Sequence, residues 1–173
     1  MRILGIDPGL VRTGYGIIEA DGPERMKFVE AGVIRTSLRD GISSRLKDIY
    51  ENLSEIIREY SPQVIVLEKL YSHYKHPTTS ILMGHARGVV CLACGVNDVR
   101  LVNYPATKIK KSVTGNGQAK KEQVQRMVKT LLGLNTAPSP YDVSDALAMA
   151  ISYVYIQGRA ESRELREQKF KKG

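Results

Sequence analysis

Four acidic residues lie where the sequence could hold a divalent metal ion. Asp7 and Glu68 each end a short apolar stretch that predicts a buried β-strand. Asp142 and Asp145 begin a predicted helix and, at this spacing, share one of its faces. A carboxylate at the end of a buried strand costs free energy unless it is compensated, and a metal ion is a common compensation. Oxygen donors favour Mg²⁺ or Mn²⁺, and two such ions ~3.5–4 Å apart could activate water and stabilise the leaving oxygen of a phosphodiester.

Each of these acids also has an ordinary structural interpretation. Asp7 could initiate the Pro-Gly turn that follows it, and Glu68 could simply end a strand where the chain reaches water. The pair at the helix start could favour the helix macrodipole, with Ser139 as N-cap and Pro140 as the first helical residue. The metal hypothesis therefore depends on the four acids taken together.

Basic residues are in excess and unevenly distributed. Lys and Arg outnumber Asp and Glu by 26 to 18, which gives a formal net charge of +8. Between Lys108 and Lys129, seven basic residues stand against one acidic residue, and Gly115-Asn116-Gly117 interrupts this stretch. A solvated helix face is one interpretation. Because a glycine turn flanked by lysines can bring N–H groups and ammonium charges onto phosphates, we favour a track for a nucleic-acid backbone.

The order of predicted elements indicates an α/β fold with a mixed five-stranded sheet flanked by helices. Three antiparallel strands come first, and helices then alternate with two further strands. The predicted strands cover residues 2–7, 13–19, 26–35, 64–68 and 99–104. The predicted helices comprise one that ends near Tyr60 after capping candidates Ser43 and Ser44, one over about 79–94, two short helices, and one over about 140–156.

Domain organisation and location follow from composition. We expect one nuclease domain over residues 1–158 and a basic, flexible tail over 159–173. The sequence lacks the regions of a signal peptide, and we expect a cytoplasmic protein with no segment that approaches a membrane span. Cys91 and Cys94 lie in an apolar helical stretch, where we expect buried, reduced thiols.

Several motifs occur in a specific order: Gly5-Ile6-Asp7-Pro8-Gly9, Thr13-Gly14-Tyr15-Gly16, Glu68 with Tyr71, Gly84-His85-Ala86-Arg87-Gly88, and Asp142-Val143-Ser144-Asp145-Ala146-Leu147-Ala148. From Arg2 to about Ile156 the chain closely resembles the RuvC family of Holliday junction resolvases. The resemblance implies an RNase H-like fold, a homodimer and collaboration with the RuvA–RuvB branch-migration complex. It also implies symmetric, Mg²⁺-dependent cleavage of four-way DNA junctions in recombination and repair, with 5'-phosphate and 3'-hydroxyl ends.

The resemblance also assigns site residues. It implies that Asp7, Glu68, Asp142 and Asp145 hold the metal, and Lys110 and Lys121 match the family's active-site lysines. An ammonium group beside the scissile phosphate would stabilise charge that develops in the transition state. An aromatic residue at the position of Tyr71 inserts at the junction centre in that family, and aromatics interleaved with basic groups suit unpaired bases. The residues expected to contact DNA are Tyr71, Tyr74, Lys75, Arg87, Lys108, Lys111 and Lys120.

Other functions remain open at this point. A related RNase H-like nuclease could act on an RNA/DNA hybrid, and substrate competition would separate it from a junction nuclease. A sugar-kinase or actin-like ATPase has a similar phosphate-binding hairpin, but such a fold needs two domains and a much longer chain than 173 residues. A module that binds junctions without cleaving them would show no metal-dependent turnover.

Overall fold

The fold is built on a five-stranded mixed sheet with the strand order β3-β2-β1-β4-β5. The computed structural model describes residues 1–69 and 77–170. Within these residues the elements are β1 (Arg2–Asp7), β2 (Arg12–Ala20), β3 (Met26–Arg35), α1 (Ile42–Tyr60), β4 (Val64–Glu68), α2 (Pro77–Val96), β5 (Arg100–Tyr104), α3 (Ala106–Thr114), α4 (Lys121–Leu131) and α5 (Tyr141–Phe170).

The sheet has one antiparallel half and one parallel half. β2 pairs antiparallel with both β1 and β3, whereas β4 pairs parallel with β1 and β5 pairs parallel with β4. The three N-terminal strands therefore form the predicted meander, and the mixed α/β architecture is confirmed. Because β1 and β4 are adjacent and parallel, their carboxyl ends lie at the same edge of the sheet.

Each face of the sheet packs against its own layer of helices. One core joins the sheet to α3, α4 and α5, and the other joins it to α1 and α2. Alternation along the strands separates the two cores, since Val66 belongs to the first and Leu67 to the second. The same alternation directs the side chains of Asp7 and Glu68 towards the layer that contains α5.

Glycines in β1 and β2 allow α5 to lie directly on the sheet. A Cβ added at Gly5 would lie 2.9 Å from the carbonyl carbon of Ala146 and 3.0 Å from the nitrogen of Ala150. A Cβ added at Gly14 would lie 2.9 Å from Asp142 Cβ and closer still to the Asp142 carbonyl. Gly14 is also the cross-strand partner of Asp7. Because Gly5 and Gly14 have no side chains, the start of α5 can pack closely against the end of β1.

The limits of several helices differ from the sequence-based prediction. α1 begins at Ile42 after an extended Gly41 that makes no side-chain cap hydrogen bond, so Ser43 and Ser44 are not its caps. α5 runs to Phe170 and not to about Ile156. Residues 159–170 contain no Gly or Pro and are rich in strong helix formers, which explains the longer helix. The division into a domain over 1–158 and a flexible tail over 159–173 stays a prediction.

α2 departs from two further expectations. Its segment Thr78–Val96 has a mean hydropathy of 1.4, so by length and composition alone it could cross a membrane, although core helices pass the same test. The expectation that no segment approaches such a span is therefore wrong on this criterion. Cys94 is buried, which raises the pKa of its thiol to about 12, but Cys91 is exposed because it lies on the outer face of the helix.

Candidate active site

Three of the predicted acids converge in one cleft. Asp7 at the end of β1, Glu68 at the end of β4 and Asp145 in the first turns of α5 line a cleft of about 560 Å³. Lys110 of α3 and Lys121 of α4 line the same cleft. Five residues that are far apart in sequence are thus brought to the carboxyl edge of the sheet.

The turn that follows Asp7 is fixed by a buried threonine. Thr13 Oγ1 donates a hydrogen bond to the Gly9 carbonyl at 2.8 Å and accepts one from the Gly9 N–H at 3.3 Å. Thr13 is fully buried. This pair of bonds closes the loop between β1 and β2 and so fixes the direction in which the chain leaves Asp7.

Asp142 lies beside the cleft and forms an ion pair with Arg12. Arg12 Nε is 3.3 Å from Asp142 Oδ2, and Asp142 is not among the residues that line the cleft. Sequence analysis predicted Asp142 but missed Arg12. In the sequence, Arg12 is recognisable only as a basic residue just after the Pro-Gly turn. Its pairing with Asp142 depends on how α5 packs on β2.

The electrostatics of Asp7 reflect crowding of negative charge. Burial and the neighbouring carboxylates of Asp145 and Asp142 raise the pKa of Asp7 from 3.8 to about 7, and Lys121 opposes this increase. A cation that enters the cleft would stabilise the ionised form of Asp7 and lower its pKa. Such a cluster of carboxylates around a buried acid is typical of a site that binds a divalent cation.

The other titrating groups in the cleft are coupled to the same acids. Partial desolvation and then Asp145 raise the pKa of Glu68, against the opposing effect of Lys110. Burial lowers the pKa of Lys121, but its interactions with Asp145, Asp7 and Asp142 together outweigh this effect, and the pKa is raised overall. Lys121 Nζ lies 3.2 Å from Asp145 Oδ2, so Lys121 is a protonated partner of that carboxylate at neutral pH.

The donor set suits a hard divalent ion by its chemistry, since it consists of carboxylate oxygens. Across residues 1–69 and 77–170, no group of three or more His, Cys, Asp or Glu side chains already stands in an arrangement that would hold a metal ion. Two of the acids instead face cations, Asp142 with Arg12 and Asp145 with Lys121.

The residues predicted to contact DNA are placed differently from one another. Arg87 lines the cleft, where its guanidinium donates hydrogen bonds to the Glu68 carbonyl and to Asn103 Oδ1. Lys108 is exposed, with Nζ 5.1 Å from the centre of the Tyr104 ring, and Lys111 and Lys120 are exposed outside the lining of the cleft. Tyr71, Tyr74 and Lys75 lie outside the described residues. The roles of all these residues in DNA binding stay predictions.

Comparison with known proteins decides the family. The family model described as crossover junction endodeoxyribonuclease RuvC matches residues 3–153. The protein of that name from Rhodopirellula baltica is 47% identical over 154 residues, which are 89% of this chain and 86% of that protein. The one from Caldicellulosiruptor saccharolyticus is 45% identical over 154 residues, 89% of this chain and 92% of that protein. The chain belongs to the RuvC family.

A solved RuvC structure confirms the predicted fold. Thermus thermophilus RuvC in complex with a Holliday junction substrate superposes with a TM-score of 0.85 at 28% identity, and the match covers 92% of this chain and 96% of that chain. The five-stranded sheet and its helices are therefore those of an RNase H-like RuvC protein. RuvC proteins are metal-dependent nucleases, and membership of this family makes the chain a hydrolase that acts on DNA.

Proposed function

We propose that this RuvC protein resolves four-way DNA junctions by symmetric hydrolysis of phosphodiester bonds, leaving 5'-phosphate and 3'-hydroxyl ends. The observation that carries the proposal is the cleft in which Asp7, Glu68 and Asp145 meet Lys110 and Lys121, in a chain of this family. The related Thermus thermophilus protein is described as bound to a Holliday junction substrate.

In this proposal Asp7, Glu68, Asp142 and Asp145 hold Mg²⁺, for which Mn²⁺ can substitute, with two ions in each active site. The raised pKa of Asp7 supports the assignment, because the buried carboxylate lacks sufficient compensating charge. When bound, the metal supplies activation of the attacking water and stabilisation of the leaving oxygen. To hold the metal, Asp142 and Asp145 would have to give up their ion pairs with Arg12 and Lys121.

The two lysines of the cleft act on the charge of the phosphate. In the metal-free cleft the neighbouring carboxylates raise the pKa of Lys121, so its ammonium group presents a full positive charge there. Lys110 lies on the same lining. Charges that are already in place where negative charge develops cost no reorganisation during the reaction.

DNA would reach this cleft along the basic stretch. Lys108, Lys111 and Lys120 are exposed on or next to α3 and α4 and could bind the phosphate backbone. Tyr71, Tyr74 and Lys75, which follow Glu68 in the sequence, supply aromatic and basic groups for unpaired bases at the junction.

A second copy of the chain would pack on the outer face of α2. Large apolar residues are exposed there, with Ile81 60%, Leu92 57% and Val96 61% accessible. A Cβ added at Gly84 or Gly88, on the same face, would meet no atom of the described residues within 4 Å. Such an apolar face with small residues permits close helix packing. A two-fold homodimer would place two active sites for symmetric cuts.

We also propose that the dimer acts with the RuvA–RuvB complex and that it is located in the cytoplasm.

The experiment is cleavage of a synthetic four-way junction in Mg²⁺ and in EDTA, with linear duplex and an RNA/DNA hybrid as competitors. The wild type should make paired symmetric nicks that need the metal. Asp7→Asn should bind the junction without cleaving it, because it removes a charged ligand with little change in shape. Asp21→Asn is the matched control, since Asp21 is an exposed acid paired with Arg25 at 3.1 Å on the surface.

The outcomes separate the candidate functions. Full activity of Asp7→Asn would refute the assignment of the site. Preferential cutting of the hybrid would identify an RNase H-type activity, and tight junction binding by the wild type without nicks would identify a binding module.

A further inference from the structure

The guanidinium group of Arg87 joins the ends of two strands at the cleft. Arg87 lies on α2, and its Nη1 donates a hydrogen bond to the main-chain carbonyl of Glu68 at 2.6 Å. Its Nη2 donates to the Oδ1 atom of Asn103 in β5. One side chain thus connects a helix, the last residue of β4 and the neighbouring strand.

These bonds act at the end of β4, where the pairing with β1 has already stopped at Leu67. Glu68 is the last residue of β4 and pairs with Tyr104 of β5, and the Lys69 N–H donates to the Tyr104 carbonyl at 2.8 Å. Arg87 reaches the same strand end from α2, which lies on the face of the sheet opposite to α5. Its neighbour Ala86 packs in the core between the sheet and α1 and α2. The bond is to the carbonyl of Glu68, so it orients the residue without needing the carboxylate oxygens.

We propose that Arg87 is a positioning residue for Glu68. Anchored to Asn103, its planar fork holds the Glu68 main chain so that the carboxylate faces Asp7 and Asp145 across the cleft. The proposal rests on the proposed function, in which Glu68 is a metal ligand. The guanidinium makes two bonds in fixed directions, which a lysine ammonium cannot reproduce with the same geometry. Groups that orient a metal ligand typically change metal affinity or activity about 10–100-fold when they are replaced.

The test uses Arg87→Lys and Asn103→Ala, with two measurements on each variant. The first is the Mg²⁺ concentration that gives half of the metal-induced thermal stabilisation in the absence of DNA. The second is the single-turnover cleavage rate at saturating junction. Arg87→Lys should raise the Mg²⁺ midpoint and lower the rate by about 10–100-fold, with unchanged junction affinity in EDTA. Asn103→Ala should change both in the same direction by less, because it removes only the anchor.

Arg2→Lys is the matched control. Arg2 Nη1 also donates to a main-chain carbonyl, that of Tyr60 at 3.0 Å, but at the opposite end of β1 from Asp7. It should leave the Mg²⁺ midpoint unchanged. A double-mutant cycle adds a readout that general destabilisation would not move, because Arg87→Lys should have no further effect on the Mg²⁺ midpoint in a Glu68→Gln background.

A phosphate contact would give a different pattern. Arg87→Lys would then keep normal metal binding and cleavage, Asn103→Ala would have no effect, and Arg87→Ala would weaken junction binding and reduce its salt dependence. That pattern would overturn the positioning role while the wild type still cleaved junctions. If the wild type itself failed to cleave, the proposed function would fall, and this role would fall with it.

Discussion

Gly14→Ala tests whether the contact between α5 and the sheet sets the geometry of the active site. The added Cβ would lie 2.9 Å from Asp142 Cβ, whereas ordinary contacts begin at 3.4 Å. The start of α5 must therefore retreat by at least 0.5 Å, and by more at the Asp142 carbonyl, which lies closer. The retreat carries both Asp142 and Asp145 away from Asp7, the cross-strand partner of Gly14.

The expected effect is larger on catalysis than on folding. A displacement of about 1 Å at a reacting group can cost on the order of 100-fold in rate. Overpacking typically destabilises by about 1–3 kcal/mol, which a domain with about 5–15 kcal/mol of stability survives. We therefore expect Gly14→Ala to fold, to bind junctions, and to cleave about 10–100-fold more slowly than the wild type.

The assay is single-turnover cleavage at saturating junction, with thermal unfolding of the same preparations. Gly41→Ala is the matched control, because within the described part of the chain its added methyl group would meet no atom within 4 Å. If Gly14→Ala cleaved within twofold of the wild-type rate, the close contact would not control the positions of the acids and the reasoning would be refuted.

Two further predictions concern stability and assembly. Because the pKa of Asp7 is raised from 3.8 to about 7 in the folded protein, the folded state binds more protons than the unfolded state between these values. The melting temperature of the metal-free protein should therefore fall as pH rises through that window, and Asp7→Asn should reduce the fall; an unchanged pH profile in Asp7→Asn would count against the raised pKa. Leu92→Lys should shift the protein to a monomer in sedimentation equilibrium, whereas Leu38→Lys, at a position that is 73% exposed outside α2, should not. A Leu92→Lys dimer would exclude the α2 interface.

The parts of the fold that local signals encode were predictable. Apolar runs and turn residues predicted β1 and β3 with the limits that the structure shows. The acids at strand ends indicated the cleft. Contacts between distant segments were not predictable, because no local pattern records them. Arg12 pairs with Asp142 only after α5 has packed on β2, and Arg87 reaches Glu68 and Asn103 only after α2 has packed beside β4 and β5. The apolar pattern predicts an end of α5 near Ile156, whereas the helix continues to Phe170 through charged residues with high helix propensity.

The strand order has a consequence for where the site lies. After β1 the chain turns to β2 and β3 on one side of the sheet, and after β4 it continues to β5 on the other side. The connections that leave the two adjacent parallel strands therefore diverge and open a crevice at their carboxyl ends. This is a topological switch point, where open α/β sheets characteristically bind ligands. Asp7 and Glu68 are the terminal residues of these two strands, so the connectivity of the sheet determines the location of the cleft before any side chain determines its chemistry.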